Sequence, residues 1–249
     1  MDTTLLLTHL AEWLGVVAVA WLLSLAPKLQ SAPVGFRYAR RDGLIALALG
    51  AVAILFAYVF TLQGMGSFAE RILKVSGAGQ SLARPFVLAV ITLLPFIAAL
   101  LTRGQPLLSA GWSGKRMRTG LQTGLAVALL TIFLRNRVMD VLGGLSNDKI
   151  YYLLLALGIA AAEETIFRGY IQLRLSWWLG DKRGWIASAL FFAAFRLPGL
   201  MMAGDLNKTL LGLAIALGEG LAAGWLMRKS NHVLAPILYR AASMWMNVF

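Results

Sequence analysis

The chain has 249 residues, 59% of them hydrophobic and 14% charged, with a mean hydropathy of +0.73. Soluble domains run to about 45–50% apolar and about 25% charged residues, so this composition excludes a soluble fold and large soluble appendages. With no cysteine and only two histidines, His9 and His232, disulfides, thiolate nucleophiles and cysteine-ligated metal centres are excluded, and little imidazole chemistry remains. The net charge is +12, but its Lys and Arg residues are spread over short segments between apolar runs. That pattern reads as membrane topology and not as a nucleic-acid-binding face.

In chain order, apolar runs centred on about residues 4–25, 44–63, 83–102, 119–134, 150–167, 185–200, 209–227 and 233–248 predict eight helices, each bounded by Gly, Pro or charge. The fold class expected is an all-α polytopic membrane protein of about eight transmembrane helices. Residues 1–25 have no basic leader, are interrupted by Glu12 and lack a small-x-small cleavage site, so they read as helix one and not as a signal peptide. The stretch Ser67 to Gln80 mixes polar and apolar residues and reads as an interfacial or linker segment. Gly220 and Gly224 form a small-xxx-small pair suited to packing within the bundle. Trp177, Trp178, Trp185 and Trp245 fall near helix ends, as interface anchors should.

Basic residues are retained on the cytoplasmic side of a membrane. The loops after helices one, three, five and seven hold Lys28, Arg37, Arg40, Arg41, Arg103, Lys115, Arg116, Arg118, Arg174, Lys182, Arg183, Arg228 and Lys229, thirteen in all. The opposite loops hold seven: Arg71, Lys74, Arg84, Arg135, Arg137, Lys149 and Lys208. Both termini are therefore expected to face away from the cytoplasm, and the Glu163-Glu164 end of helix five to face it. The expected location is a bacterial cytoplasmic membrane.

The three remaining arginines, Arg168, Arg196 and Arg240, fall within or at the edge of helices, as do the acids Glu163, Glu164 and Glu219. Intramembrane ions cost about 2.5–3.5 kcal/mol each on insertion scales and normally face the bundle interior in pairs. Three acids against three bases can balance without an added ion, and Glu164 and Arg168 share a helix face in the favourable acid-first order. These six residues are expected to form a buried ion-pair network. His232, in the loop before helix eight, reads as a surface or interfacial residue.

The stretch Glu163-Glu164-Thr165-Ile166-Phe167-Arg168-Gly169-Tyr170 resembles the EExxxR motif of the CPBP family. These are intramembrane metalloproteases that include type II CAAX prenyl endopeptidases and bacteriocin-processing and self-immunity (Abi) proteins. Ser188 to Arg196 resembles the family's FxxxH segment, Gly220 to Lys229 its glycine-rich penultimate helix, and Leu234 to Arg240 its last-helix segment. The resemblance covers roughly residues 110–248, so the chain divides into N-terminal helices one to three at 1–105 and a CPBP-like domain at 106–249.

The resemblance implies catalytic roles for Glu163, Glu164 and Arg168. It also places Arg196, Arg240 and Met244 where the family has two histidines and an asparagine. A guanidinium stays protonated and has no free lone pair, so it neither ligates zinc nor acts as a base. Two arginines bring the two positive charges of a zinc ion, with donor forks suited to carboxylates. No cofactor is expected, zinc included. The function implied is that of a catalytically inactive CPBP-like protein serving as a structural, assembly or binding subunit, its partners being membrane lipids and another integral membrane protein or complex, without nucleic acid. The alternative is an intramembrane endopeptidase using Glu163 in an arginine-containing site, where Arg196 or Arg240 stabilises the oxyanion.

Overall fold

The computed structural model describes residues 3–25, 35–73, 79–202 and 204–248. Lys28 and Lys74, both used in the charge count, lie outside the described residues. Among the described residues there are helices and no strands. In chain order the helices are α1 (Thr3–Ser24), α2 (Ala39–Leu62), α3 (Gly66–Leu73), α4 (Gln80–Thr102), α5 (Met117–Leu134), α6 (Val138–Leu142), α7 (Asn147–Leu179), α8 (Asp181–Met201), α9 (Leu206–Ser230) and α10 (Leu234–Met246). Six of them, α2, α4, α5, α7, α8 and α9, are long and apolar enough to cross a membrane, and α1 contributes a shorter apolar stretch, Leu7–Leu22. The protein is thus an all-α polytopic membrane bundle, and each of the eight apolar runs falls on a helix.

The pattern is inverted relative to a soluble bundle. On α2 the buried residues include Gly43, Ala46, Gly50, Ala53 and Ala57, a small-residue stripe at alternating spacings of three and four, while Leu55 and Leu62 are exposed. Lipid solvates large apolar side chains as well as a protein core does, so helix contact is driven by close packing at small residues. A side chain on Gly43 would meet Trp178 of α7, and one on Gly50 would meet Phe191 of α8. α3 buries Ala69 and exposes Phe68 and Ile72, as an interfacial helix does.

α10, at 13 residues, is roughly 20 Å long, short of the hydrocarbon thickness. It is an inner helix, buried along most of its length and packed on α5 and α7. α7 is the opposite case. Ser146 caps its start by accepting from Lys149 N–H, and it runs 33 residues before Gly180, at φ 91° and ψ 153°, reverses the chain straight into α8.

Glu163 and Glu164 are not at a helix end near the cytoplasm but at the middle of α7. Arg174 is not a loop residue: it lies on α7 and is fully buried, so it drops out of the charge count. The sequence pattern misled because the charged and tryptophan-rich stretch after Phe167 resembles a helix boundary, although Arg168, Gln172 and Arg174 each donate to an acceptor inside the bundle.

Candidate functional site

From Thr165 to Gln172 α7 widens into a π-helical stretch, a feature that recurs at functional sites. The change begins immediately after Glu163 and Glu164. Gly169 is the reason the chain can pack here: an added Cβ would collide with the Ala110 carbonyl oxygen. The turn Leu107–Ala110 therefore sits directly against the widened helix. On the other side, Arg168 Nη2 donates to Gly220 O at 3.2 Å and Gln172 Nε2 to Gly224 O at 3.0 Å. Donors four apart on α7 thus meet carbonyls four apart on α9. The Gly220 and Gly224 pair works within the bundle, where side chains at these positions would press on Ala189 and Trp185 of α8.

The six intramembrane charges converge on this region. Glu163 is 1% exposed and Glu164 and Arg168 are fully buried. Arg168 Nε lies 3.2 Å from Glu164 Oε2. Arg196 of α8 and Arg240 of α10 both direct Nη2 at one atom, Glu163 Oε2, at 2.9 and 3.1 Å. Arg240 Nη1 is 3.7 Å from Glu164 Oε1 and 3.7 Å from Glu219 Oε2 on α9. Met244 adds a weak sulfur contact to Arg240 at 3.9 Å.

Phe192, one turn before Arg196, is a member of this site that the charge pattern did not reveal. Its buried ring has the Arg168 and Arg240 guanidinium carbons 4.5 Å from its centroid and that of Arg196 5.4 Å away. The ring's negative face offsets part of the cost of gathering three cations in a low-dielectric interior. The available signal was a phenylalanine four residues before a charged residue on an apolar helix.

Arg196 remains partly accessible, its side chain 25% exposed. It borders two cavities of about 440 Å³ each. One reaches Glu70 and Arg84 on the α3 side, and the other reaches Glu219, Arg240 and Asn247.

The donor set does not fit a zinc ion. Two guanidinium groups occupy the near face of Glu163, and no group of three or more His, Asp or Glu residues suited to a metal exists among the described residues. Neither histidine reaches Glu163. His9 belongs to a separate cluster with Glu12 and Arg135. His232 precedes α10, roughly 12 Å of helix rise from Arg240.

His232 is also not a surface residue, as its sequence position suggested: it is 2% exposed and edge-on to Trp112. Its Nδ1 accepts from Leu234 N–H at 3.0 Å, which requires the neutral ring. Burial lowers its pKa, the Arg116 guanidinium lowers it further, and a hydrogen bond with the Ser113 backbone opposes both.

The second polar cluster went unnoticed in the sequence. Arg135, at the end of α5, holds Glu12 Oε2 through Nε at 2.9 Å and Nη2 at 2.7 Å. It also donates to Asn247 Oδ1 at 2.5 Å and Ser243 Oγ at 3.0 Å. Arg240, Ser243 and Asn247 recur at three and four residues, so one face of α10 carries both clusters.

Residues 146–246 match the family model described as Type II CAAX prenyl endopeptidase Rce1-like. No curated protein and no solved structure matches the chain.

Proposed function

We propose that this protein is a catalytically inactive member of the CPBP family, in keeping with the match of residues 146–246 to the Rce1-like type II CAAX prenyl endopeptidase model. It acts in a bacterial cytoplasmic membrane as a structural, assembly or binding subunit for another integral membrane protein. The observation that carries this reading is the meeting of two guanidinium groups on Glu163 Oε2. A carboxylate that activates water needs a lone pair directed at that water and a pKa near the working pH. Two fixed cations on Oε2 occupy that oxygen as an acceptor. They also tie α7, α8 and α10 together at one point, a linking role that suits a scaffold.

In this reading Arg196, Arg240 and Met244 stand at the family's two histidine positions and its asparagine position. Metal analysis of the purified full chain should find zinc below stoichiometric amounts, and prenylated or signal-type peptides should remain intact on incubation. One zinc per chain, removed by chelator together with a peptidase activity, would overturn the proposal in favour of the endopeptidase alternative.

We infer that the end of the bundle carrying Gly180 faces the cytoplasm. Support comes from Arg37, Arg40, Arg41, Arg103, Lys182 and Arg183, which remain near helix ends on that side after Arg174 is removed from the count. The cysteine-free chain allows a direct check. Lys182→Cys, at an exposed position, should react with an impermeant thiol reagent only after the cytoplasmic face is opened. Labelling of intact cells from outside inverts the assignment.

A further inference from the structure

At the end of the bundle opposite α3, a cleft of about 500 Å³ lies between the start of α2, the end of α4 and the turn that follows α4. Its walls include Arg37, Arg41, Arg103, Gln105 and Ser109, with Asp42 as the acidic member. Asp42 is 2% exposed and is engaged by Arg103 Nη2. The other terminal nitrogen of Arg103, Nη1, is buried without a hydrogen-bond partner among the described residues.

Directly behind the wall lies Arg174, fully buried. Its Nη1 donates to Ser109 O at 2.9 Å and Tyr170 O at 3.2 Å, and its Nη2 to Gln105 Oε1 at 2.5 Å and Ser109 Oγ at 3.3 Å. Its guanidinium also stacks 3.5 Å from the Tyr170 ring centroid. Every one of these partners is neutral. Arg37 and Arg41 are exposed, and both guanidinium groups lie over the Tyr38 ring, 5.3 and 4.4 Å from its centroid. Neither forms a salt bridge among the described residues.

Four guanidinium groups therefore line or back a cleft that holds one carboxylate, and the most deeply buried of them, Arg174, forms no salt bridge among the described residues, Asp42 acting on it only from beyond contact range. A buried cation satisfied only by neutral acceptors is costly, and an anion placed at the mouth of the cleft lowers that cost. The cleft sits where α2 begins and α4 ends, and at that level Trp177 Nε1 donates to Phe36 O at 2.9 Å, the depth of lipid headgroups. Ile45, Pro106 and Leu108 supply an apolar wall beside the arginines. We propose that this cleft binds the phosphate of an anionic membrane lipid, the phosphate on Arg37, Arg41 and Arg103 Nη1 and an acyl chain along the apolar wall. Guanidinium forks match phosphate oxygens bidentately, and Arg174, through Gln105 and Ser109, keeps the site positive.

The test uses the full chain, delipidated in neutral detergent and titrated with phosphatidylglycerol, with phosphatidylcholine and with inorganic phosphate, reading thermal stability and bound lipid by native mass spectrometry. Phosphatidylglycerol should raise the melting temperature and remain bound, phosphatidylcholine should have a much smaller effect, and millimolar inorganic phosphate should have none. Each basic residue near a membrane surface adds about 1 kcal/mol of attraction to anionic lipid. Arg37→Gln with Arg41→Gln should therefore weaken phosphatidylglycerol about tenfold or more. Lys115→Gln with Arg118→Gln, exposed at the same end but outside the cleft, should leave it unchanged. Equal losses in the two double variants mean general surface charge and overturn the proposal, as does full binding by the cleft variant. An inorganic phosphate effect equal to that of the lipid overturns the lipid assignment in favour of a soluble phosphate ligand.

Discussion

Arg240→Met should destabilise the bundle by about 3–5 kcal/mol, the range for leaving buried charges without their partner. Arg240 is 1% exposed and reaches Glu163, Glu164 and Glu219. Its loss leaves three acids facing two arginines, of which Arg168 is bound to Glu164 and not to Glu163. Adding Glu163→Gln returns the cluster to two acids and two bases. It should restore part of the loss, as a coupled cycle requires. Arg196→Met should cost less, because its side chain is 25% exposed and Glu163 keeps Arg240. Thermal unfolding in detergent of these three variants and of Glu163→Gln alone, read alongside expression level, gives all four values. If Arg240→Met is silent, the two-arginine junction at Glu163 is not what holds α7, α8 and α10 together.

The bundle architecture was legible because eight apolar runs are an unambiguous demand on the lipid phase: a chain segment without water must satisfy its backbone internally, and only helices do so one at a time. The six central charges were legible for a related reason, since ions of both signs in apolar helices are too costly to stand alone. Helix length was less accessible. The segment from Phe167 to Leu179 contains Arg168, Gln172 and Arg174 and reads as the end of a helix, yet carbonyls of Gly220, Gly224, Ser109 and Tyr170 accept from these side chains. Those acceptors come from three separate stretches of chain, and no local pattern announces them. His232 was misjudged in the same way, because a histidine between two helices looks exposed until Trp112 and the α10 start close over it.

Glu12 shows the limit most clearly, since one acid in the first apolar run reads as an interruption when it is half of a buried pair. Glu12→Gln should destabilise the protein by about 3 kcal/mol, the low end of the range for an orphaned buried ion. The side chains of Arg135 and Glu12 are 9% and 1% exposed, and after the substitution Arg135 faces only neutral partners, the new amide oxygen with Asn247, Ser243 and the His9 ring, and no carboxylate. Adding Arg135→Met should recover part of the loss, because it removes the uncompensated cation and leaves neutral groups behind. The pair joins α1 to α5 and, through Ser243 and Asn247, to the same face of α10 that carries Arg240. Glu12→Gln and Arg240→Met should therefore not add: displacing α10 at one cluster loosens the other, giving an interaction of at least about 0.5 kcal/mol, the threshold for sites that share a structural element. Strict additivity would make the two clusters independent, and a silent Glu12→Gln would mean that α1 leans on the bundle without being fastened to it.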